Sequence, residues 1–368
     1  MIPTRLTLLL LVSCLAVSSC GASAGLSPAL QQSNSNQSDA QPKVAKEAKP
    51  RAAIDPNKFA IIIAGVGGEE VYSKKFAEQA MHLYDEVTNR LGFDEKNVYL
   101  MTEAGSGGPE NGSREIEGVK SSRATAEEAR KAFASVKSAA NADSVVLVVL
   151  IGHGSFDTQQ AKFNLVGPDL TAKDYASLVG ALPTRRVIFV NSASSSGEFV
   201  KPLSAQGRIV ITATRSGNEQ NATVFADNFI AALRDEAADA DKNGRVSLLE
   251  AFNYATKLTA DWYKQKNRLA TEHALIDDNG DGTGHEEATA GDGTIAKAVY
   301  LDSKPMEQAG GDADLAKLLK ERGRFEEEIE KLKARKAEMK QEDYDRELEG
   351  LLVELAKVNQ TIKSRSKQ

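Results

Sequence analysis

The chain has 368 residues, a formal charge of −6 and an apolar fraction of 41%. That length accommodates one large domain or two ordinary ones with attachments, and it can bury a sizeable core. The mild negative charge supplies no concentrated basic surface, which argues against nucleic acid as a partner. Both cysteines, Cys14 and Cys20, fall in the first twenty residues, so the body has no disulfide, no thiolate metal site and no thiol nucleophile.

Arg5 gives a positive n-region, and Leu6 to Val17 is an apolar run too short for a comfortable membrane span. The run ends in Val17-Ser18-Ser19-Cys20-Gly21, which resembles a bacterial lipobox. By that resemblance residues 1–19 are a lipoprotein signal peptide, and Cys20 becomes the lipid-carrying first mature residue. The protein is then exported and held at the cell envelope by a lipid anchor. Cleavage after Ala22-Ser23-Ala24, leaving a soluble exported protein, is the alternative. Gly21 is not the aspartate that retains lipoproteins at the inner membrane, so in a Gram-negative source the resemblance implies the outer membrane. Residues 20–56 read as a disordered tether, because a Ser-, Gln-, Asn-, Ala- and Lys-rich stretch without aromatics from residue 25 buries too little to order itself.

From Phe59 apolar runs alternate with helical periodicity. Phe59 to Ala64 predicts a buried strand followed by Gly65, Gly67 and Gly68, and Phe76, Ala80, Leu83, Val87 and Leu91 recur at helical spacing. Val98 to Met101 is a second short strand. A polar, Gly-rich loop at 103–124 leads to Thr125-Ala126-Glu127-Glu128, a capping-box signature. Val145 to Ile151 has no polar residue and predicts the central strand. Thr171 and Asp174 cap a helix ending near Pro183, and Val187 to Val190 and Ile209 to Ala213 are further strands. Repeated strand–helix–strand order predicts an α/β domain over 57–303, a parallel sheet covered by helices on both faces. Function in such sheets collects at the carboxyl ends of the strands.

Two segments occupy such ends. Ile151-Gly152-His153-Gly154 follows the central strand, and Asn191-Ser192-Ala193-Ser194-Ser195-Ser196-Gly197 follows the next. Adjacent strands lie about 4.8 Å apart, so side chains just past their ends can meet. A backbone N–H at Gly154 can approach an oxyanion. In order and strand context, these segments resemble the caspase and legumain superfamily of cysteine peptidases, legumain-like branch, over roughly residues 57–270. His153-Gly154 matches the motif of the base. Ala193-Ser194-Ser195-Ser196-Gly197 matches that of the nucleophile, with Ser194 where the cysteine belongs. The resemblance implies a peptidase cleft with His153, Ser194 and Gly154 as its catalytic positions. The substitution matters, because a serine hydroxyl is far less acidic than a thiol and needs a base oriented by a carboxylate. Asp157 is the acid nearest His153 in sequence.

Asp239-Ala240-Asp241-Lys242-Asn243-Gly244, with Ser247 and Glu250, fits the EF-hand loop at its diagnostic positions. Asp239, Asp241, Asn243, Ser247 and Glu250 supply side-chain oxygens, Arg245 a carbonyl, and Gly244 the turn, so loop 239–250 predicts a Ca²⁺ site. Asp277, Asn279, Asp281 and Gly282 repeat the start of that pattern, but position twelve is Ala288, with Glu286 or Glu287 as substitutes. His82 reads as a partly buried helix residue, and His273 and His285 lack zinc-ligand spacing.

In the tail, Leu315, Leu318, Phe325, Ile329 and Leu332 form one apolar stripe. Leu348, Leu351, Leu355, Val358 and Ile362 form another. The interruption at Lys340 to Asp343 predicts an antiparallel helical hairpin over 312–365, packed on its own domain or pairing with a partner or second copy. Three functional readings follow. The first is an impaired or inactive peptidase-like domain that binds a peptide or protein partner, or serves as a scaffold, at the envelope. The second is a serine-type hydrolase using Ser194 and His153. The third is a purely structural Ca²⁺-stabilised envelope protein acting through its tail.

Overall fold

The computed structural model describes residues 51–105, 119–288 and 291–365. The leader, Cys20 and the tether up to residue 50 lie outside the described residues, as does 106–118 of the Gly-rich loop. The described chain belongs to one compact unit, Pro50–Gln368. Residues 51–56, which composition assigns to the tether, lie against the domain. Ala52 N–H donates to the Asn89 carbonyl at 2.9 Å and Asp55 N–H to that of Gly92 at 2.7 Å, while Arg51 pairs with Glu95 at 2.5 Å.

The strands are β1 (Lys58–Ala64), β2 (Val98–Thr102), β3 (Ser122–Arg123), β4 (Val145–Ile151), β5 (Gly154–Phe156), β6 (Ala161–Phe163), β7 (Leu170–Thr171), β8 (Arg186–Asn191), β9 (Arg208–Thr212) and β10 (Leu275–Asp277). The helices are α1 (Glu70–Asp85), α2 (Ala126–Ala139), α3 (Ala172–Gly180), α4 (Val200–Leu203), α5 (Phe225–Ala232), α6 (Leu248–Gln265), α7 (Thr294–Ala298), α8 (Lys304–Ala309), α9 (Ala313–Ala334) and α10 (Gln341–Arg365). One sheet runs β10-β9-β8-β4-β1-β2-β3, and a small second sheet runs β5-β6-β7. In the large sheet every neighbouring pair is parallel except β9 with β10, which is antiparallel. The parallel sheet expected from sequence is therefore a mostly parallel one with an antiparallel edge.

Alternation along each strand divides the core into two layers. Ile62, Leu147, Val149, Ile188 and Ile211 face one side, where α1, α5, α6 and α7 bring Phe76, Leu83, Phe229, Phe252 and Ile295. Ile61, Val146, Val148, Phe189 and Val210 face the other, against Phe133 of α2, Tyr175 of α3 and Leu203 of α4. This two-sided cover is why β4 is apolar throughout: neither face meets water. Thr171 and Asp174 form the expected capping box on α3. At α2 only half of it forms: Thr125 Oγ1 accepts from Glu128 N–H, while the Glu128 carboxylate turns to Lys131 at 2.8 Å.

The tail is a hairpin, its antiparallel sense fixed by Arg365 at the end of α10, whose guanidinium reaches Asp312 and Asp314 at the start of α9 at 3.1 and 2.9 Å. It is docked on its own domain: Lys320 pairs with Asp55 at 2.6 Å, and Glu327 pairs with Arg186. Both partners lie at or near the amino-terminal ends of strands, away from the strand ends that carry His153 and Ser194.

Candidate functional site

The β4–β8 register, which ends on Leu150 opposite Asn191, brings the two strand ends level. The segments beyond them meet. Gly154 N–H donates to Ser194 Oγ at 3.2 Å, and Ser194 Oγ lies at the same distance from the Gly154 carbonyl, to which it donates. Gly154 has to be glycine because a Cβ there would fall closer than 3 Å to the Ser194 carbonyl oxygen. Ser194 is only 2% exposed. Its neighbours are buried too, each hydroxyl with a partner: Ser192 Oγ donates to Leu150 carbonyl at 2.7 Å, Ser195 Oγ to Gly217 carbonyl at 2.9 Å, and Ser196 Oγ meets Thr214 Oγ1 at 3.1 Å. A run of serines is tolerated in a protein interior on that condition. Ser195 sits at φ 54°, a left-handed conformation uncommon outside glycine, where the chain turns into the short helix Ser196–Phe199.

His153 leaves the tip of β4 half-buried, edge-on to Tyr72 at 4.9 Å and Phe76 at 5.0 Å, both from α1. Burial pushes the imidazole below its usual pKa. A backbone hydrogen bond with Gly67 and the charge of Glu69 oppose this shift, and Lys75 reinforces it. The ring is therefore neutral at pH 7, the form in which imidazole accepts a proton. Among the described residues no hydrogen bond joins His153 to Ser194. Nor does Asp157 orient the imidazole. Its carboxylate accepts from Gln159 and Gln160 N–H at 3.1 and 2.7 Å, closing the β5–β6 turn, and lies 3.5 Å from Lys162 Nζ.

Several residues of this region carry no signal in the sequence. Glu219 accepts from the His273 ring and from His273 and Arg215 N–H, and its carbonyl receives Ser195 N–H at 2.8 Å. Thr223 Oγ1 donates to the Ser192 carbonyl at 2.5 Å, while Lys75 reaches the Thr223 carbonyl and Asp227. Glu272, 4% exposed, accepts from Val224 and Phe225 N–H at the start of α5, and burial raises its pKa. Most of these partners lie 20 to 50 residues or more from the groups they hold, so no local pattern announces them. His82, expected to be partly buried, is exposed.

In loop 239–250, carboxylate oxygens of Asp239, Asp241 and Glu250 lie within 4.8 Å of one another. The turn at Gly244, φ 79°, and N–H donation from Asn243 and Gly244 to Asp239 at 3.1 and 2.8 Å shape the loop. Glu250 starts α6 in a capping box with Ser247. Asn243 turns its amide to Asp241 and Tyr300, its Oδ1 accepting from Arg245 N–H. Such a set of hard oxygen donors fits Ca²⁺ in type, with three carboxylates converging. Arg245 also clamps the loop, holding Asp302 through two bonds of 2.6 and 2.9 Å and lying 3.8 Å over the Tyr300 ring.

The second loop has the same local turn. Asp277 accepts from Gly280 and Gly282 N–H at 3.0 and 3.2 Å, and Asn279 and Asp281 bond to each other. Glu286 lies 3.4 Å from Arg215. Buried Asp278 caps α7 through Gly293 and Ala296 N–H, and buried Asp292 holds His285 and Asp278 N–H. Burial raises the pKa of both Asp277 and Asp278, and Asp292 adds to it.

No family model matches the chain, and no curated protein matches it. Among solved structures it is similar to the crystal structure of protein GSU0716 from Geobacter sulfurreducens. The identity is 11% and the TM-score 0.37, over 60% of this chain and 93% of that one. The class that strands and helices define is an α/β protein with a mostly parallel seven-stranded sheet, helices on both faces and a C-terminal helical pair.

Proposed function

We propose that this chain is a caspase/legumain-like pseudopeptidase, an exported α/β domain whose peptidase-type cleft recognises a peptide segment without turning it over. The supporting observation is the placement of His153 and Ser194 just beyond the ends of neighbouring strands, with the Ser194 hydroxyl engaged by the Gly154 backbone. That hydroxyl is buried and held by the same N–H that an oxyanion would need. A serine-type hydrolase would require the hydroxyl on the imidazole and a carboxylate behind it, whereas Asp157 serves the β5–β6 turn. Within this reading Ca²⁺ binds loop 239–250 through Asp239, Asp241 and Glu250 and rigidifies the start of α6. Cys20 carries the lipid that tethers the domain at the envelope.

The test is a peptide library assayed for binding and for cleavage, in Ca²⁺, against wild type, His153→Ala, Ser194→Ala and Ser194→Cys. The expectation is binding without turnover by wild type, with cleavage gained only in Ser194→Cys, where a thiol restores the missing nucleophile. Wild-type cleavage that either alanine variant abolishes would establish the serine hydrolase instead. Absence of both binding and cleavage in all four would leave the structural role.

A further inference from the structure

Helix α10 uses one apolar face against α9 and leaves a second in solvent. Leu352 and Val353 are 48% and 46% exposed, and with Leu348 and Ala356 they line a shallow groove bordered by Asp345 and Glu349. At about 100° per residue, Asp345, Leu352, Ala356 and Lys363 fall on a single stripe of the helix. The charge on that stripe is polarised, acidic toward the start of the helix and basic toward its end, and both Asp345 and Lys363 are exposed.

We propose that this face pairs with the same face of a second copy of the chain, the two α10 helices antiparallel about a two-fold axis that passes midway between Leu352 and Ala356 on this face. That axis sets Asp345 of each copy opposite Lys363 of the other, and Leu352 opposite Ala356, so that a large side chain meets a small one at both symmetric positions. A parallel pair would instead place Asp345 beside Asp345 and Lys363 beside Lys363. Antiparallel pairing also sets the helix dipoles in their favourable sense. The hairpin is fixed to its domain by Lys320–Asp55 and Arg186–Glu327, so two such chains would be joined tail to tail, away from the strand ends that carry His153 and Ser194.

The test is sedimentation equilibrium of Pro50–Gln368, the compact unit. Wild type forms a concentration-dependent dimer, and Leu352→Lys is monomeric. Asp345→Lys or Lys363→Asp alone weakens dimerisation by about tenfold, because both symmetric pairs turn repulsive. The double swap Asp345→Lys/Lys363→Asp restores it. Circular dichroism of each variant keeps loss of pairing distinct from loss of folding, since all three positions are on the surface. Because this unit has no cysteine, a mixture of Leu352→Cys and Ala356→Cys chains reads the register directly: the mixed disulfide forms, and neither variant crosslinks alone. A wild type monomeric at all concentrations, or a dimer indifferent to Leu352→Lys, would overturn the proposal. So would a dimer whose single and double charge variants behave alike.

Discussion

Gly154→Ala probes the junction of the two strand-end segments, because the new methyl would fall closer than 3 Å to the Ser194 carbonyl and 3.1 Å from that of Lys162. Both neighbours are backbone, so neither can swing aside, and the two segments must separate. Overpacking of this kind costs about 1–3 kcal/mol. Separation also breaks the Ser194–Gly154 hydrogen bonds, worth about 1 kcal/mol each. The expected loss is thus about 3–5 kcal/mol, a third or more of the stability typical of a domain, and a fall in melting temperature of about 5–10 °C for a chain this large. Ser194→Ala removes the hydroxyl without the clash and should lose about 1–2 kcal/mol. The double variant should match Gly154→Ala, because the clash is with the backbone carbonyl at position 194, which truncating the side chain leaves in place. Thermal and urea unfolding of the four proteins reads all of this. If Gly154→Ala melts with wild type, or Ser194→Ala rescues it, the close approach of the two segments is refuted.

Three further outcomes follow from the same geometry. His153 has a folded pKa below its ordinary 6.5, so on acidification the unfolded chain takes the proton first. Its contribution to stability is full above pH 6.5 and declines as pH falls toward the folded value. The slope of melting temperature between pH 7.5 and 5.5 should therefore flatten in His153→Asn, and an unchanged slope would contradict the burial assigned to the ring. Ca²⁺ in place of chelator should raise the melting temperature, adding about 2.7 kcal/mol at a hundredfold excess over the dissociation constant. Glu250→Gln, which can still cap α6, should lose that increment, and a wild type blind to Ca²⁺ would remove the ion from the proposal. Arg245→Ala gives up both bonds to Asp302 and the Tyr300 face, at a cost of about 1–3 kcal/mol. Limited proteolysis between Asp302 and Asp312 should accelerate, and an unaltered cleavage rate would show that the pair does not hold the tail.

What could be read in the linear chain depended on how local the cause was. β1, β4, β8 and β9 are legible because a strand buried on both faces must be apolar at nearly every position. β10 and the β5–β7 sheet have strands two or three residues long, and their identity comes from pairing with other segments, so no periodicity reveals them. The candidate site divides the same way. His153 and Ser194 stand out because each follows an apolar strand within three or four residues. The partners of the serine hydroxyls, from Leu150, Gly154, Thr214 and Gly217, arrive from up to 42 residues away. Asp157 shows the converse, since nearness in sequence to His153 placed it in a hairpin turn of its own.

Sequence by itself determined the absence of a thiol beyond Cys20, the α/β alternation, the acidic loops and the heptad-like tail. These follow from residue identity and short-range spacing, which need no partner. Only the tertiary structure decided that the Ser194 hydroxyl turns to the Gly154 backbone, that Asp239, Asp241 and Glu250 converge, and that residues 51–56 and the tail dock on the domain. Among the described residues it also left one face of α10 without a neighbour. Each of these depends on which surfaces meet once the sheet has closed its core, and contact between distant segments is set by packing and register.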